Sequence, residues 1–200
     1  MNVYLKELTN LISNGSMENT YKMSWIRSIV ETCEVSPKNI IHFDELSPLI
    51  FKYYWNQTIF FNLKQGPNTN KKPKILQLVE KSIDEYQSIY GNKPETFIKI
   101  QKKVDIPVRQ ISTVLTKDVC ERFLKIEGKV FDIYEPDLRK RTINIVKPEI
   151  LKEYSDILYQ LINYRWTQKL EDIDGSPRIS KKIKGVDRDE KPRRGSLKPF

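Results

Sequence analysis

The chain has 200 residues, 38% of them hydrophobic and 30% charged, with ten Tyr, eight Phe and three Trp, which is ample material for a core and lies outside the range of disordered sequences. The formal net charge is +9, and no apolar run approaches the roughly 18 residues that a membrane span needs. Cys33 and Cys120 stand far apart with no Cys-x-x-Cys pair, which argues against a disulfide framework or a zinc site; the expectation is a soluble cytoplasmic protein with no membrane partner.

The first residues, Val3 to Glu7, already read as helix rather than as a signal segment. Leu5, Leu8, Leu11 and Ile12 recur at helical spacing until Asn14-Gly15-Ser16 stops them. Asn19 or Thr20 can cap a second helix, whose apolar stripe (Trp25, Ile26, Ile29, Val30, Cys33) ends before Pro37. A third starts at Asp44 or Ser47, accepts Pro48 in its first turn and continues through Tyr53, Tyr54, Gln57 and Phe61. Lys64 to Lys72 forms a polar, basic loop, and Pro73 opens a fourth helix that Gly91 closes.

From Pro94 the texture changes, which suggests a subdivision near residue 92. Glu95–Lys103 reads as a short helix, Asp105-Ile106-Pro107 as a turn and Val108–Leu124 as another helix. Lys129–Tyr134 and Arg141–Val146 alternate as two short strands joined by the charged turn 135–140. Helix, turn, helix, hairpin is the order of a winged helix-turn-helix, placing such a part at about 94–146. Arg109, Gln110, Ser112 and Thr113 would then face base edges, and Arg139, Lys140 and Arg141 would reach phosphates. Equally, helices and a hairpin in this order can mean packing alone. A long last helix runs from Pro148 past Trp166 and Leu170 until Gly175-Ser176-Pro177 breaks it. The fold class expected is mainly α, a multi-helix bundle with one small β-hairpin, as a helical domain over 1–175 followed by a basic linker over 176–200.

Charge is concentrated in that linker. Residues 176–200 hold nine Lys and Arg against three acidic side chains, so they supply +6 of the +9. Such a segment attracts a polyanion by counterion release, or simply stays solvated. Arg178, Lys181, Lys182, Lys184, Arg188, Arg193 and Arg194 are its candidate phosphate contacts; the loop lysines Lys64, Lys71 and Lys72 form a second candidate set, with Arg109 and Gln110 as base readers. Trp25, Tyr54, Trp55 and Trp166 could stack on bases, but aromatics at helical spacing are ordinarily core. Tyr21 and Lys22 read as a buried phenol beside a solvated ammonium.

Catalytic chemistry is poorly provided for. The single histidine, His42, would have to serve any Ser-His-Asp set alone, and no nucleophile elbow, Walker loop or dinucleotide fingerprint is present. Asp105 with Glu127-Gly128-Lys129 imitates a magnesium-nuclease triad, although these residues fall in turns rather than on a strand hairpin.

Two stretches carry a family resemblance. One is Asn19-Thr20-Tyr21-Lys22-Met23-Ser24-Trp25 followed by Tyr53-Tyr54-Trp55-Asn56-Gln57. The other is Trp166 with Leu170-Glu171, then Ser176 to Ile183, then Arg193-Arg194-Gly195-Ser196-Leu197-Lys198-Pro199-Phe200. Together they resemble the non-catalytic N-terminal region of a family of bacterial HNH endonucleases, some tied to restriction or defence; residues 94–150 match only in outline. The resemblance implies that Arg193–Leu197 leads into a nuclease domain, which would carry the histidines, the asparagine, the paired cysteines and the divalent metal. On that reading this chain holds no catalytic residue, metal ligand or cofactor, and its partners are double-stranded DNA, its own nuclease domain and a second copy in a homodimer. The expected role is a DNA-engaging or regulatory front end; the alternative is a protein-interaction or oligomerisation module that touches no DNA.

Overall fold

An asparagine cap opens the first element: the Asn2 side chain accepts the Tyr4 N–H at 3.0 Å and starts α1 (Val3–Asn14), which buries Tyr4, Leu8, Leu11 and Ile12 on one face. The computed structural model describes residues 2–68 and 71–174. α2 (Tyr21–Val35) is started by Asn19, whose side chain accepts the Tyr21 N–H, and it is the central helix, with Trp25, Ile26, Ile29, Val30 and Cys33 fully buried. α3 (Phe43–Phe61) begins earlier than the Pro48 signal suggests, so the proline sits in the second turn. It ends at Asn62 in the left-handed region (φ 48°), a conformation asparagine tolerates. α4 (Lys74–Tyr90) packs against α3 and is closed by Gly91 at φ 86°.

Sequence periodicity overestimates the continuity of two later helices. The expected helix 108–124 breaks at Val119 (φ −125°, ψ −53°) into α6 (Val108–Asp118) and α7 (Cys120–Phe123), after the single-turn α5 (Phe97–Ile100). Because Val119, Cys120, Phe123 and Leu124 are all buried, the break turns more apolar side chains inward than a straight helix could. The last helix likewise breaks at Tyr154 into α8 (Pro148–Glu153) and α9 (Ser155–Asp174), and α9 lies across α1 and α2.

The β structure is richer than one hairpin. β2 (Lys125–Ile126) and β3 (Lys129–Val130) form a miniature hairpin whose two turn residues, Glu127 and Gly128, both have positive φ, as a tight primed turn requires. β4 (Tyr134–Asp137) and β5 (Thr142–Ile145) form the main hairpin; β5 falls within the expected strand 141–146, while β4 lies later than the expected 129–134. Pro136 fits because β4 is an edge strand. The third strand, β1 (Ile40–His42), has no counterpart among the expected elements, because three residues are too few to show alternation. It pairs with β5 in the register Ile40 to Asn144 and His42 to Thr142, giving the order β1-β5-β4. The sheet therefore joins residues on both sides of position 92, and one buried core runs through the described elements.

Two polar devices fix that core. The Trp25 Nε1–H donates to the Tyr134 hydroxyl at 2.9 Å, and that hydroxyl donates to the Cys120 carbonyl at 2.5 Å, tying α2 to β4 and to the start of α7. Around Trp25, the rings of Phe43 and Tyr134 pack edge-on. The second device is a buried network centred on Gln65. Its Oε1 accepts from Thr20 at 2.6 Å and from the Trp166 indole at 3.4 Å, its amide donates to Gln57, and Thr20 also bonds the Tyr54 hydroxyl at 2.7 Å. Thr20, Tyr54, Gln57 and Trp166, far apart in the chain, thus meet in one cluster. The part of the loop read as simply polar is pinned at Gln65, which is fully buried.

Candidate nucleic-acid interface

Two surfaces gather the candidate residues. The first is built on α6. Ile111, Ser112, Val114 and Leu115 face inward against α3, which leaves Arg109, Gln110 and Lys117 exposed and Thr113 and Thr116 half-buried on the opposite side. Ser112 is therefore corrected: it is fully buried and cannot face a base. No ion pair holds Arg109 or Lys117 among the described residues, and Thr113 is occupied in part by a bond to the Arg109 carbonyl at 2.8 Å. The β4–β5 turn adds exposed Arg139 and Lys140. Asp137 accepts the Lys140 amide at 3.0 Å and lies 3.4 Å from its ammonium; that amide, with the ammonium behind it, holds the Asp137 carboxyl below its ordinary range. Arg141 takes a left-handed φ of 53° and its carbonyl accepts the Phe43 N–H at 2.9 Å, which moors the turn to the start of α3.

The second surface is a groove of about 820 Å³ between residues 16–22, residues 66–68 and 71–74, and the segment 118–127. Lys71 and Lys72 line it, as expected of a basic loop, but they are joined by cations that sequence reasoning missed or placed elsewhere: Lys74, Arg122 and Lys125. Lys22, read as solvated, is half-buried and lines the same groove; burial first, and then the neighbouring Arg122 charge, lower its pKa. Lys72 is paired rather than free: its ammonium grips the Glu80 carboxylate at 2.8 and 2.9 Å. Lys64 is exposed outside the groove. No one-dimensional signal marks Arg122 or Lys125: they reach the groove only because the chain breaks at Val119 and turns back at Gly128.

Arg178, Lys181, Lys182, Lys184, Arg188, Arg193 and Arg194 lie outside the described residues. Trp25, Tyr54, Trp55 and Trp166 are buried and belong to the core rather than to a stacking surface. His42 is exposed at the end of β1, where its backbone N–H donates to Glu45 at 3.0 Å and seats the start of α3. Asp105, Glu127 and Lys129 are exposed, and no group of three or more His, Cys, Asp or Glu able to hold a metal occurs among the described residues. No described helix is long and apolar enough to cross a membrane. No protein-family model, curated protein or solved structure matches the chain.

Proposed function

We propose that this chain engages double-stranded DNA in the cytoplasm and positions it for an HNH-type nuclease domain, without itself cutting. The supporting observation is connectivity: α2, β1, α3, then α6, β4 and β5, with β5 between β1 and β4, is the chain order and strand order of a winged helix. α4, α5, α7 and the β2–β3 hairpin are insertions within it. In such a module the third helix enters the major groove and the hairpin touches the backbone. That role falls to α6, whose outer face carries Arg109 and Gln110, the residue types that read guanine and adenine edges with paired bonds. Lys117, Arg139 and Lys140 contribute phosphate contacts, and the basic segment 178–194 adds sequence-independent attraction.

Fluorescence anisotropy with a labelled duplex across a salt series tests this. The full chain should bind with a steep salt slope, and a chain ending at Gly175 should bind more weakly with a shallower one. Arg139→Ala/Lys140→Ala should reduce the slope by about two, since each phosphate contact contributes roughly 0.9. Arg109→Ala/Gln110→Ala should weaken binding to a selected site more than to random duplex. Absence of binding at low salt, or binding indifferent to the α6 changes in a folded protein, overturns the reading. The protein-interaction alternative draws on exposed Ile89, Tyr90 and Ile98, on two elements that pack Tyr86 and Phe97 against Trp55. A stable homodimer with no DNA affinity would select it.

A further inference from the structure

α2 and α4 begin at the same place. The Tyr21 hydroxyl accepts the Ile75 N–H at 2.9 Å, so the first turn of one helix is tied to the first turn of the other. Neither helix has an acidic residue in its first turn, and both starts line the groove through Tyr21, Lys22, Lys74 and Gln77. Two positive dipole ends therefore reinforce side chains that already carry positive charge.

Four elements each send a cation to this groove: Lys22 from α2, Lys74 from α4, Arg122 from α7 and Lys125 from β2. Lys22 and Arg122 both line the groove, and after burial the Arg122 charge adds to the lowering of the Lys22 pKa. Neither makes an ion pair among the described residues, in contrast to Lys72, which Glu80 neutralises. Asp118 and Glu127 also line the groove, but with Glu18 they are three carboxylates against five cations once Lys71 is included and Lys72 is left to Glu80. Holding two like charges together where one is half-desolvated costs free energy unless an anion sits between them. The shape matters as well: a recess of about 820 Å³ has the size of a small-ligand site, whereas a rigid duplex needs an open or protruding surface such as α6.

We propose that this groove binds a small phosphorylated ligand of nucleotide size, with Lys22 and Arg122 clasping the phosphate and Lys74 and Lys125 flanking it. The site is separate from the duplex-facing surface and does not depend on the DNA reading. Its consequence is that the chain carries a binding site through which a soluble phosphate compound acts on the protein.

Isothermal titration of the full chain with sodium pyrophosphate tests it. A saturable one-to-one isotherm is expected, weakened at least about tenfold by Lys22→Gln/Arg122→Gln and unchanged by Lys181→Gln/Lys182→Gln in the basic segment. Circular dichroism melting confirms that the variants fold, and Arg122→Lys, which keeps the charge, should retain most of the binding. No saturable binding, an adventitious weak association equal in the wild type and the groove variant, or a loss confined to the Lys181/Lys182 variant overturns the proposal. In a second arm the protein is loaded with pyrophosphate and titrated with a short duplex. Unchanged duplex binding supports a separate site; stoichiometric displacement of pyrophosphate would make the groove a DNA-backbone site and overturn the small-ligand assignment.

Discussion

Tyr134→Phe removes one oxygen from a fully packed site, and the structure lets its cost be worked out. The Tyr134 ring is buried between Trp25 and Phe123, and phenylalanine keeps its shape, so no cavity of consequence opens. What disappears is the hydroxyl that accepts from Trp25 Nε1 at 2.9 Å and donates to the Cys120 carbonyl at 2.5 Å. The indole N–H is then buried with no partner, a penalty of about 1–3 kcal/mol, and the Cys120 carbonyl loses a bond worth about 1 kcal/mol. The sum is roughly 2–4 kcal/mol, which in a chain of this length corresponds to a fall in melting temperature of about 5–12 °C. Urea unfolding followed by tryptophan fluorescence and circular dichroism measures it, and the slope m should not change. In the background of Trp25→Phe, where the donor is already gone, the same substitution should cost at least about 1 kcal/mol less. A single-variant loss under about 0.5 kcal/mol, or additive losses, would refute the claim that this hydroxyl ties α2 to β4.

Further outcomes follow from the same geometry. Gln65→Leu strips partners from Thr20 and the Trp166 indole, so it should destabilise by about 2–4 kcal/mol in urea and increase proteolysis next to residue 65. Gly128→Ala should cost about 1–2 kcal/mol through its φ of 83° alone, since beyond its chain neighbours no atom lies within 4 Å of the added methyl, while Glu127→Asn should stabilise by a few tenths of a kcal/mol, roughly, both read from melting curves. Burial pushes the Cys33 thiol up to about 11 and the Cys120 thiol up to about 12, so neither should react with a thiol reagent at pH 8 until urea unfolds the chain. Burial also raises the Tyr4, Tyr21, Tyr54 and Tyr134 phenols. All these folded-state values exceed the unfolded ones, so their stabilising contribution is complete below the unfolded range and declines as the pH rises above about 8.5 for the thiols and about 10 for the phenols. Unfolding free energies measured from pH 7 to 11 should fall on the alkaline side; a flat profile would contradict the burial.

The helices α1 to α4 could be read from the chain because their stripes are long and their ends are marked by residues that act locally: Asn2 and Asn19 as caps, Gly15 and Gly91 as stops. Local chemistry also marked Trp25, Tyr54, Trp55 and Trp166 as core, since burying such rings is favourable in almost any packing. Tertiary contacts decided the rest. The breaks at Val119 and Tyr154 carry no glycine or proline signal and arise because the buried residues on either side need different directions. β1 is three residues long, and only pairing with β5, a hundred positions away, makes it a strand. Ser112 and Arg109 differ in exposure because α3 covers one side of α6, and Lys72 in the loop is paired with Glu80 on α4. Lys22, Lys74, Arg122 and Lys125 share a groove through convergence of four separate elements, an electrostatic fact set by distance in space, which spacing along the chain does not encode.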